Sequence, residues 1–350
     1  MTRPSQAIIN LSAVNRNLDK LSVLAGKSKR IAVVKADAYG NGAVAIAKSI
    51  KDRVDMFAVA FLDEAIALRE NASTKPILIL QGAHEAADYA AGAAHNLIWV
   101  MHSEWQLAEY KAHIEQHACQ ARAWFKFDTG MHRLGFSPSY LATLLLDYPE
   151  LINEHSVMMT HLACADEPNQ GHAVAQIDRF LAILQQHNFP VCIANSAGNI
   201  RFQQARQDYV RLGIALYGSS PFELADQSIQ LDPVMNLNSK IIALRSIPKG
   251  DCVGYGATWR AQQDSVIATV PIGYADGYPR HAPTGTPAWC NGQLVPLVGR
   301  VSMDMLTFDV TALLKHSSAK GAGEIEPPKI GDAIQLWGDK LPINQVAEHI

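Results

Sequence analysis

Apolar residues recur at helical spacing near the start of the chain. Leu11, Val14, Leu18 and Leu21 fall on one face of a helix, and Gly26 marks its end. The pattern therefore predicts a helix that precedes the first buried strand.

From residue 30 onward, short apolar runs alternate with amphipathic stretches long enough for crossover helices. Eight runs are predicted strands: 31–35, 56–61, 77–81, 97–101, 122–127, 157–162, 191–195 and 209–213. Predicted helices include 63–71, 103–117, 138–146 and 172–186. Strand–helix alternation indicates a parallel sheet, and eight such units fit a closed (β/α)8, TIM-like barrel. A doubly wound open sheet stays the alternative, because a strand count does not prove closure.

The pattern changes after about residue 232. Short apolar runs at 239–245, 265–270, 294–298, 305–310 and 333–337 are separated by Gly-Asp, Asn-Gly and Pro-Lys-Gly turns. A helical pattern returns only at 343–350. We therefore predict an α/β chain with two domains, an N-terminal barrel over 1–235 and a C-terminal mainly-β domain over 236–350.

Composition narrows the class of partner. The 350 residues are 48% hydrophobic and 18% charged, with a net charge of −3 and dispersed basic residues. This excludes a cationic face for nucleic acid or anionic membrane, so a small molecule is the expected partner. No apolar stretch approaches the roughly 20 residues that span a bilayer, and the start lacks the apolar core of a secretory signal. We expect a cytoplasmic protein.

The cysteines give no sign of a disulfide framework or a metal site. They are five in number and widely spaced: Cys119, Cys164, Cys192, Cys252 and Cys290. Spacing of this kind indicates reduced, mostly packed thiols and no metal.

Lys35 is the first candidate for chemistry. It follows the apolar run at 31–34 and precedes a glycine-containing turn at 36–42. In a (β/α)8 barrel the reactive groups lie at the carboxyl ends of strands, and a partly desolvated amine there becomes a nucleophile toward a carbonyl. Lys35 is therefore a candidate Schiff-base lysine. The alternative is an ordinary lysine that extends from a strand end into water.

Polar residues also end four other predicted strands: Lys126 with Arg133 behind it, His161, Asn195-Ser196, and Arg211 before Gly213-Ile214. Each has a structural explanation, such as a surface loop or a hydrogen-bonded core histidine. Their convergence on one rim of a barrel favours a functional site.

Two of these strand ends carry groups suited to phosphate. Barrels often bind phosphate with the loops after strands seven and eight, where this chain has the Ser196 hydroxyl and the amides of Gly213 and Ile214. A lysine opposite a phosphate cradle indicates pyridoxal 5′-phosphate, although a sugar phosphate would use the same groups. Arg211 discriminates between them, because it could reach a ring nitrogen.

Long motifs in consistent order resemble the bacterial alanine racemase family. The motifs are 32–42 (AVVKADAYGNG), 126–135, 160–163, 195–197, 210–218, 253–259, 273–280 and 299–304. Together they cover nearly the whole chain. Asp37 and Asn41 stand where the family more usually has Asn and His.

The resemblance implies an isomerase with shared active sites in a homodimer. It would interconvert L-alanine and D-alanine by two-base proton transfer on a pyridoxal-phosphate aldimine, and its D-alanine would supply peptidoglycan or enter breakdown. The alternatives are a broad-specificity racemase acting on serine or lysine-type amino acids and an inactive pyridoxal-phosphate-binding paralogue. The family also continues beyond the position of residue 350 through a short segment carrying a tyrosine that contacts the phosphate.

The resemblance also assigns roles to residues. The catalytic pair is Lys35 and Tyr255, with the tyrosine contributed across the dimer. The implied cofactor-binding residues are Lys35, Tyr39, His161, Ser196, Arg211, Gly213 and Ile214. Arg133 and the Met303 amide would bind the substrate carboxylate. Lys126 is implied to be carbamylated, with an ion pair to Asp128 as the alternative. Tyr274 and Arg280 are implied to line the entrance.

Overall fold

The computed structural model describes residues 3–226, 228–316 and 326–350. The chain forms two compact units, one of Leu11–Asp232 and the other of Met1–Asn10 with Pro233–Ile350. The chain begins with strand β1 (Gln6–Ile9), which belongs to the second unit.

The first unit is a closed barrel of eight parallel strands. They are β2 (Lys29–Val33), β3 (Met56–Val59), β4 (Ile77–Ile79), β5 (Ile98–Met101), β6 (Ala123–Lys126), β7 (Val157–Met159), β8 (Val191–Cys192) and β9 (Tyr209–Leu212). Strand β2 pairs with β9 from Lys29 opposite Tyr209 to Ala32 opposite Leu212. This pairing confirms the predicted barrel, because an open sheet would leave these two strands as edges.

Helices connect the barrel strands, as βαβ crossovers require. They are α1 (Leu11–Ala25), α2 (Ala43–Ile50), α3 (Leu62–Asn71), α4 (Ala87–Ala94), α5 (Glu104–His117), α6 (Tyr140–Asp147), α7 (Gly171–Leu184) and α8 (Ser196–Arg201). Single 3₁₀ turns lie at Pro149–Leu151, Gln203–Ala205 and Ile214–Tyr217.

Apolar side chains fill the barrel interior. Buried residues from alternating strand positions, among them Ile31, Leu78 and Trp124, form one cluster. The Trp124 ring packs against Tyr209 with centroids 4.8 Å apart. The strands are covered on both faces, which explains why they read in the sequence as continuous apolar runs.

A buried asparagine joins the two ends of the barrel unit. Nδ2 of Asn17, on α1, donates to the carbonyl oxygens of Leu216 at 3.2 Å and Asp232 at 2.8 Å. Its Oδ1 accepts from the Asp232 amide at 2.8 Å. Because removing one partner of a buried polar group leaves the other unsatisfied, this side chain holds α1 against the end of the unit.

The second unit is mainly β. After β1 it contains β10 (Met235–Lys240), β11 (Ala243–Ile247), β12 (Cys252–Val253), β13 (Trp259–Arg260), β14 (Ser265–Val270), β15 (Pro287–Cys290), β16 (Gln293–Pro296), β17 (Leu306–Asp309) and β18 (Ala333–Trp337). Its helices are α9 (Thr311–His316) and α10 (Ile343–Ala347), with 3₁₀ turns at Tyr255–Ala257 and Tyr274–Asp276. The sheets have the strand orders β1-β10-β18-β15-β16, β11-β14-β17 and β12-β13.

The structure differs from the sequence prediction at the N terminus. Residues 3–10 lie in the second unit and not in the barrel, because β1 pairs antiparallel with β10 from Gln6 opposite Asn238 to Ile9 opposite Met235. The predicted single run 239–245 is divided between β10 and β11. Across the described residues, no helix combines the length and the apolar content needed to cross a membrane.

Candidate active site

The barrel residues named in the sequence analysis share one cavity of about 580 Å³. Its walls include Lys35, Tyr39, Lys126, Arg133, His161, Ser196, Arg211, Gly213 and Ile214. The carboxyl ends of parallel barrel strands meet at one rim, so side chains distant in sequence converge there.

Lys35 lies on an unusual turn rather than on a strand. Strand β2 ends at Val33, two residues earlier than predicted, and Ala36–Tyr39 then have φ between 51° and 57°. A left-handed conformation costs roughly 1–2 kcal/mol for each residue with a Cβ. Four such residues in succession keep this conformation only where surrounding groups restrain the backbone. This turn has Lys35 at its start and Tyr39 at its end.

The environment of Lys35 favours the neutral amine. Burial lowers its pKa most, and the positive charges of Arg133 and Arg211 lower it further, while the Glu64 carboxylate opposes them. The contribution of Arg133 to the lowered pKa of Lys35 was not apparent from the sequence. A lowered pKa suits an amine that must act as nucleophile and base.

Hydroxyl and amide groups come together in another part of the cavity wall. The Ser196 Oγ accepts from the Gly213 amide at 2.9 Å. Asn195 caps α8 by accepting from the Gly198 amide at 2.8 Å. A Cβ on Gly213 would lie 2.7 Å from the Tyr39 Oη, so only glycine permits this approach. Burial raises the pKa of Tyr39, which therefore remains a hydrogen-bond donor.

Arg211 lines the cavity, is buried and is held by several hydrogen bonds. Its guanidinium donates to the carbonyl oxygens of Thr160 and Ile193, both at 2.9 Å, and to the Cys192 Sγ at 2.9 Å. Within the described residues it forms no ion pair with a carboxylate. A guanidinium keeps its proton in proteins, so Arg211 presents a fixed positive charge that can only donate.

His161 lies against this charge. The Arg211 Nη2 is 3.2 Å from the His161 Nδ1. Burial first, and then the charge of Arg211, lowers the pKa of His161 to about 2. The ring is therefore neutral, and because Nδ1 accepts from the guanidinium, its own proton lies on Nε2.

Lys126 is buried and, among the residues that the structure describes, forms no ion pair with a carboxylate. Burial, followed by the charges of Arg211 and Arg133, lowers its pKa to about 8. The Asp128 Oδ1 instead accepts from the amides of Gly130, Met131 and His132 at 2.9–3.1 Å. The alternative ion pair between Lys126 and Asp128 is not formed within the described residues.

The predicted residues of the second unit line a separate cavity of about 1030 Å³. Tyr255, Tyr274, Arg280 and Met303 are all on its wall. Tyr255 is 71% exposed within its own chain and follows Gly254, whose φ is 77°. The Arg280 guanidinium lies 5.5 Å from the centre of the Tyr274 ring.

Met303 is presented by a tight backbone contact. The Tyr274 amide donates to the Ser302 carbonyl at 3.1 Å, and the Ala275 amide donates to the Met303 carbonyl at 3.0 Å. A Cβ on Gly273 would overlap both carbonyl oxygens. Among the described residues the Met303 amide itself has no acceptor, which leaves it available to an anion.

The sequence reasoning missed two acidic residues near Lys35. Glu64 binds the amide of Ala36, and Asp166 lines the cavity. The position of Glu64 in the first turn of α3 was a visible signal, but it indicated only a helix cap. Nothing in the sequence distinguishes Asp166 from an ordinary loop acid.

A closed barrel with a lysine of lowered pKa, a buried arginine and a hydroxyl–amide cradle lining one cavity is an arrangement suited to an enzyme that binds a phosphorylated small molecule. Residues 9–221 match the family described as alanine racemase, N-terminal domain. Residues 234–350 match alanine racemase, C-terminal domain. The chain belongs to the alanine racemase family, whose members are isomerases.

Individual relatives are similar to this chain over nearly its full length. The alanine racemase of Chromohalobacter salexigens is 43% identical over 354 residues, covering 100% of this chain and 93% of that protein. The crystal structure of biosynthetic alanine racemase from Pseudomonas aeruginosa is similar with a TM-score of 0.90 and 37% identity, over 99% of this chain and 94% of that one. The crystal structure of alanine racemase from Bartonella henselae with covalently bound pyridoxal phosphate is similar with a TM-score of 0.87 and 28% identity, over 99% of this chain and 94% of that one.

Proposed function

We propose that this protein interconverts L-alanine and D-alanine, with pyridoxal 5′-phosphate bound to Lys35. The observation that carries the proposal is the shared cavity, which is lined by both Lys35 and the Ser196–Gly213 cradle in a chain of this family.

The barrel residues fit the cofactor. The cradle brings together the Ser196 and Tyr39 hydroxyls and the Gly213 backbone, whose amide donates to the Ser196 Oγ at 2.9 Å, and a Cβ on Gly213 would lie 2.7 Å from the Tyr39 Oη. These donors suit a phosphate dianion. Arg211 would supply a permanent donor for a ring nitrogen of the cofactor, and a nitrogen that accepts from a guanidinium would stay unprotonated, which would limit transamination. When bound, pyridoxal phosphate withdraws electrons from the substrate and acidifies its α-hydrogen.

Two residues exchange protons with the α-carbon. The lowered pKa of Lys35 lets its Nζ take a proton on one face, and Tyr255 serves the other face. The roles are exchanged in the reverse reaction. The 71% exposure of Tyr255 leaves the phenol accessible to a second chain, which supports a homodimer with shared active sites.

Arg133 and the Met303 amide would bind the substrate carboxylate, while Tyr274 and Arg280 would line the entrance. Lys126 would be carbamylated and would orient Arg133. Carbamylation requires a neutral amine, and the pKa of about 8 provides one near physiological pH. The product D-alanine would supply peptidoglycan or be broken down.

The test combines a spectrum with isotope exchange. Purified protein should show a borohydride-reducible chromophore on Lys35, and with L-alanine in deuterated water it should form D-alanine deuterated at the α-carbon. K35A should lose the chromophore, whereas the exposed lysine variant K27A should behave as wild type. Y255F should keep the chromophore and lose racemisation. A chromophore without D-alanine would contradict the proposed reaction, and no chromophore would contradict the cofactor.

A further inference from the structure

The turn after β2 carries two of the proposed functional groups. Lys35 lies at its start and Tyr39 at its end, and the four residues Ala36–Tyr39 have the left-handed conformation. A change in this turn would move both the amine and the phenol. The contacts that hold the turn therefore bear on the chemistry.

Two side chains of the same segment restrain its far end. The Asp37 Oδ1 accepts from the Ala43 amide at 2.7 Å. The Asn41 Nδ2 donates to the carbonyl oxygens of Ala38 at 2.8 Å and Tyr39 at 3.2 Å. Neither contact restrains the peptide next to Lys35.

Glu64 restrains the near end from another element. Its Oε1 accepts from the Ala36 amide at 2.5 Å, while its Oε2 accepts from the amides of Ala60 at 2.8 Å and Phe61 at 3.1 Å. Within the described residues, it is the one side chain of another element that hydrogen-bonds the backbone of 35–42. One carboxylate thus joins the Lys35 turn to the loop between β3 and α3.

The two carboxylate oxygens of Glu64 bind different segments of the chain. An acidic side chain in the first helical turn commonly binds the amide just before the helix, and Oε2 does this for α3. A cap alone does not account for Oε1, which contacts only the other segment. The carboxylate also supplies the negative charge that opposes Arg133 and Arg211 at Lys35.

We propose that Glu64 is a positioning residue, which fixes the peptide after Lys35 and so holds the Lys35 amine and the Tyr39 hydroxyl in register with the cofactor. Its catalytic consequence rests on the proposed function. The restraint on the backbone does not, because it follows from the three hydrogen bonds.

Two variants separate geometry from charge. E64Q preserves shape, but its amide has a single acceptor oxygen and cannot accept from both groups of N–H donors. E64D preserves charge but is one methylene shorter, so it cannot span both. The matched control is D88N, because the Asp88 Oδ2 accepts from the His84 and Glu85 amides before α4 and makes no contact with the turn.

Three measurements test the proposal in the full chain: hydrogen exchange of a peptide covering 34–42, the dissociation constant of pyridoxal phosphate from the apoprotein, and kcat and KM for alanine. In both Glu64 variants we expect exchange at the Ala36 amide to accelerate and cofactor affinity and kcat each to fall by about 10-fold or more. KM should change less. D88N should remain within about twofold of wild type.

Two outcomes would overturn the proposal. If E64Q and D88N behave alike, Glu64 is only a helix cap. If E64D behaves as wild type while E64Q is impaired, charge and not position is responsible. If wild-type protein does not racemise alanine, the proposed function fails, but exchange of the 34–42 peptide still decides whether Glu64 fixes the turn.

Discussion

Replacing Gly213 with alanine would test the phosphate cradle directly. The added Cβ would lie 2.7 Å from the Tyr39 Oη, where ordinary van der Waals contact begins at 3.4 Å. The phenol must therefore move by about 0.7 Å. Tyr39 is 37% exposed, so resistance to this shift comes from one side, where its ring packs on Tyr217 with centroids 4.9 Å apart and Tyr217 donates to the Val33 carbonyl at 2.7 Å.

The displacement of the Tyr39 phenol determines how much cofactor binding should weaken. A hydrogen bond to a charged group contributes about 1.5–3 kcal/mol, so losing the Tyr39 contact should weaken cofactor binding by about 10- to 150-fold. The assay is a spectral titration of the apoprotein with pyridoxal phosphate. G171A is the control, since its Cβ would meet only the Asn169 Oδ1 at 3.3 Å.

A double variant identifies the mechanism. Y39F removes both the clashing oxygen and the proposed hydrogen bond, so G213A/Y39F should bind the cofactor about as well as Y39F alone. Additive losses would show that alanine at 213 acts by another route. Binding by G213A within about twofold of wild type would refute the cradle itself.

Three further predictions concern other parts of the site. The pKa of His161 is about 2 in the folded protein and about 6.5 in the unfolded chain. Between these pH values only the unfolded chain binds a proton at His161. His161 therefore makes the free energy of unfolding rise with pH by about 1.4 kcal/mol per pH unit up to about pH 6.5. H161Q should reduce the slope of the unfolding free energy between about pH 5 and 6 by that amount, measured by urea denaturation; an unchanged slope contradicts the buried neutral ring. G273A should destabilise the protein by about 1–3 kcal/mol and raise KM, because the Cβ meets the Met303 carbonyl, and wild-type values for both would contradict that overlap. In ¹³C-bicarbonate, wild-type protein should show a carbamate NMR signal that grows from about pH 7 to 9 and is absent in K126R; no signal would exclude carbamylation.

The barrel could be predicted because its strands are covered on both faces. Each buried strand, such as β3 or β5, appears in the sequence as a short apolar run, and the helices between them alternate regularly. Strand ends were less predictable. The predicted run 191–195 is a strand only at Val191–Cys192, although beyond that end the Arg211 amide of β9 still donates to the Ala194 carbonyl at 2.9 Å.

The grouping of site residues was predictable for a geometric reason. Once the strands were assigned, the barrel placed Lys35, Lys126 and Arg211 at one rim. Their roles stay predictions. The left-handed turn was not predictable, because alanine and tyrosine give no local signal for it and one restraint comes from Glu64, 28 positions away.

Strand β1 was missed because its residues are mostly exposed and show no alternating pattern. Its partner β10 lies beyond the entire barrel in sequence, so no local pattern indicates the pairing. Long-range pairing of this kind is decided by tertiary structure.

The pairing of β1 with β10 has a consequence for synthesis of the chain. The ribosome makes β1 first, but its partner emerges only after the whole of Leu11–Asp232, which at about 5–20 residues per second takes roughly 10–45 s. The barrel segment is complete in the nascent chain before that partner exists. Residues 6–9, including Ile8 and Ile9, have no strand partner during that interval, so a chaperone that binds nascent apolar segments would find a target in them until β10 is made.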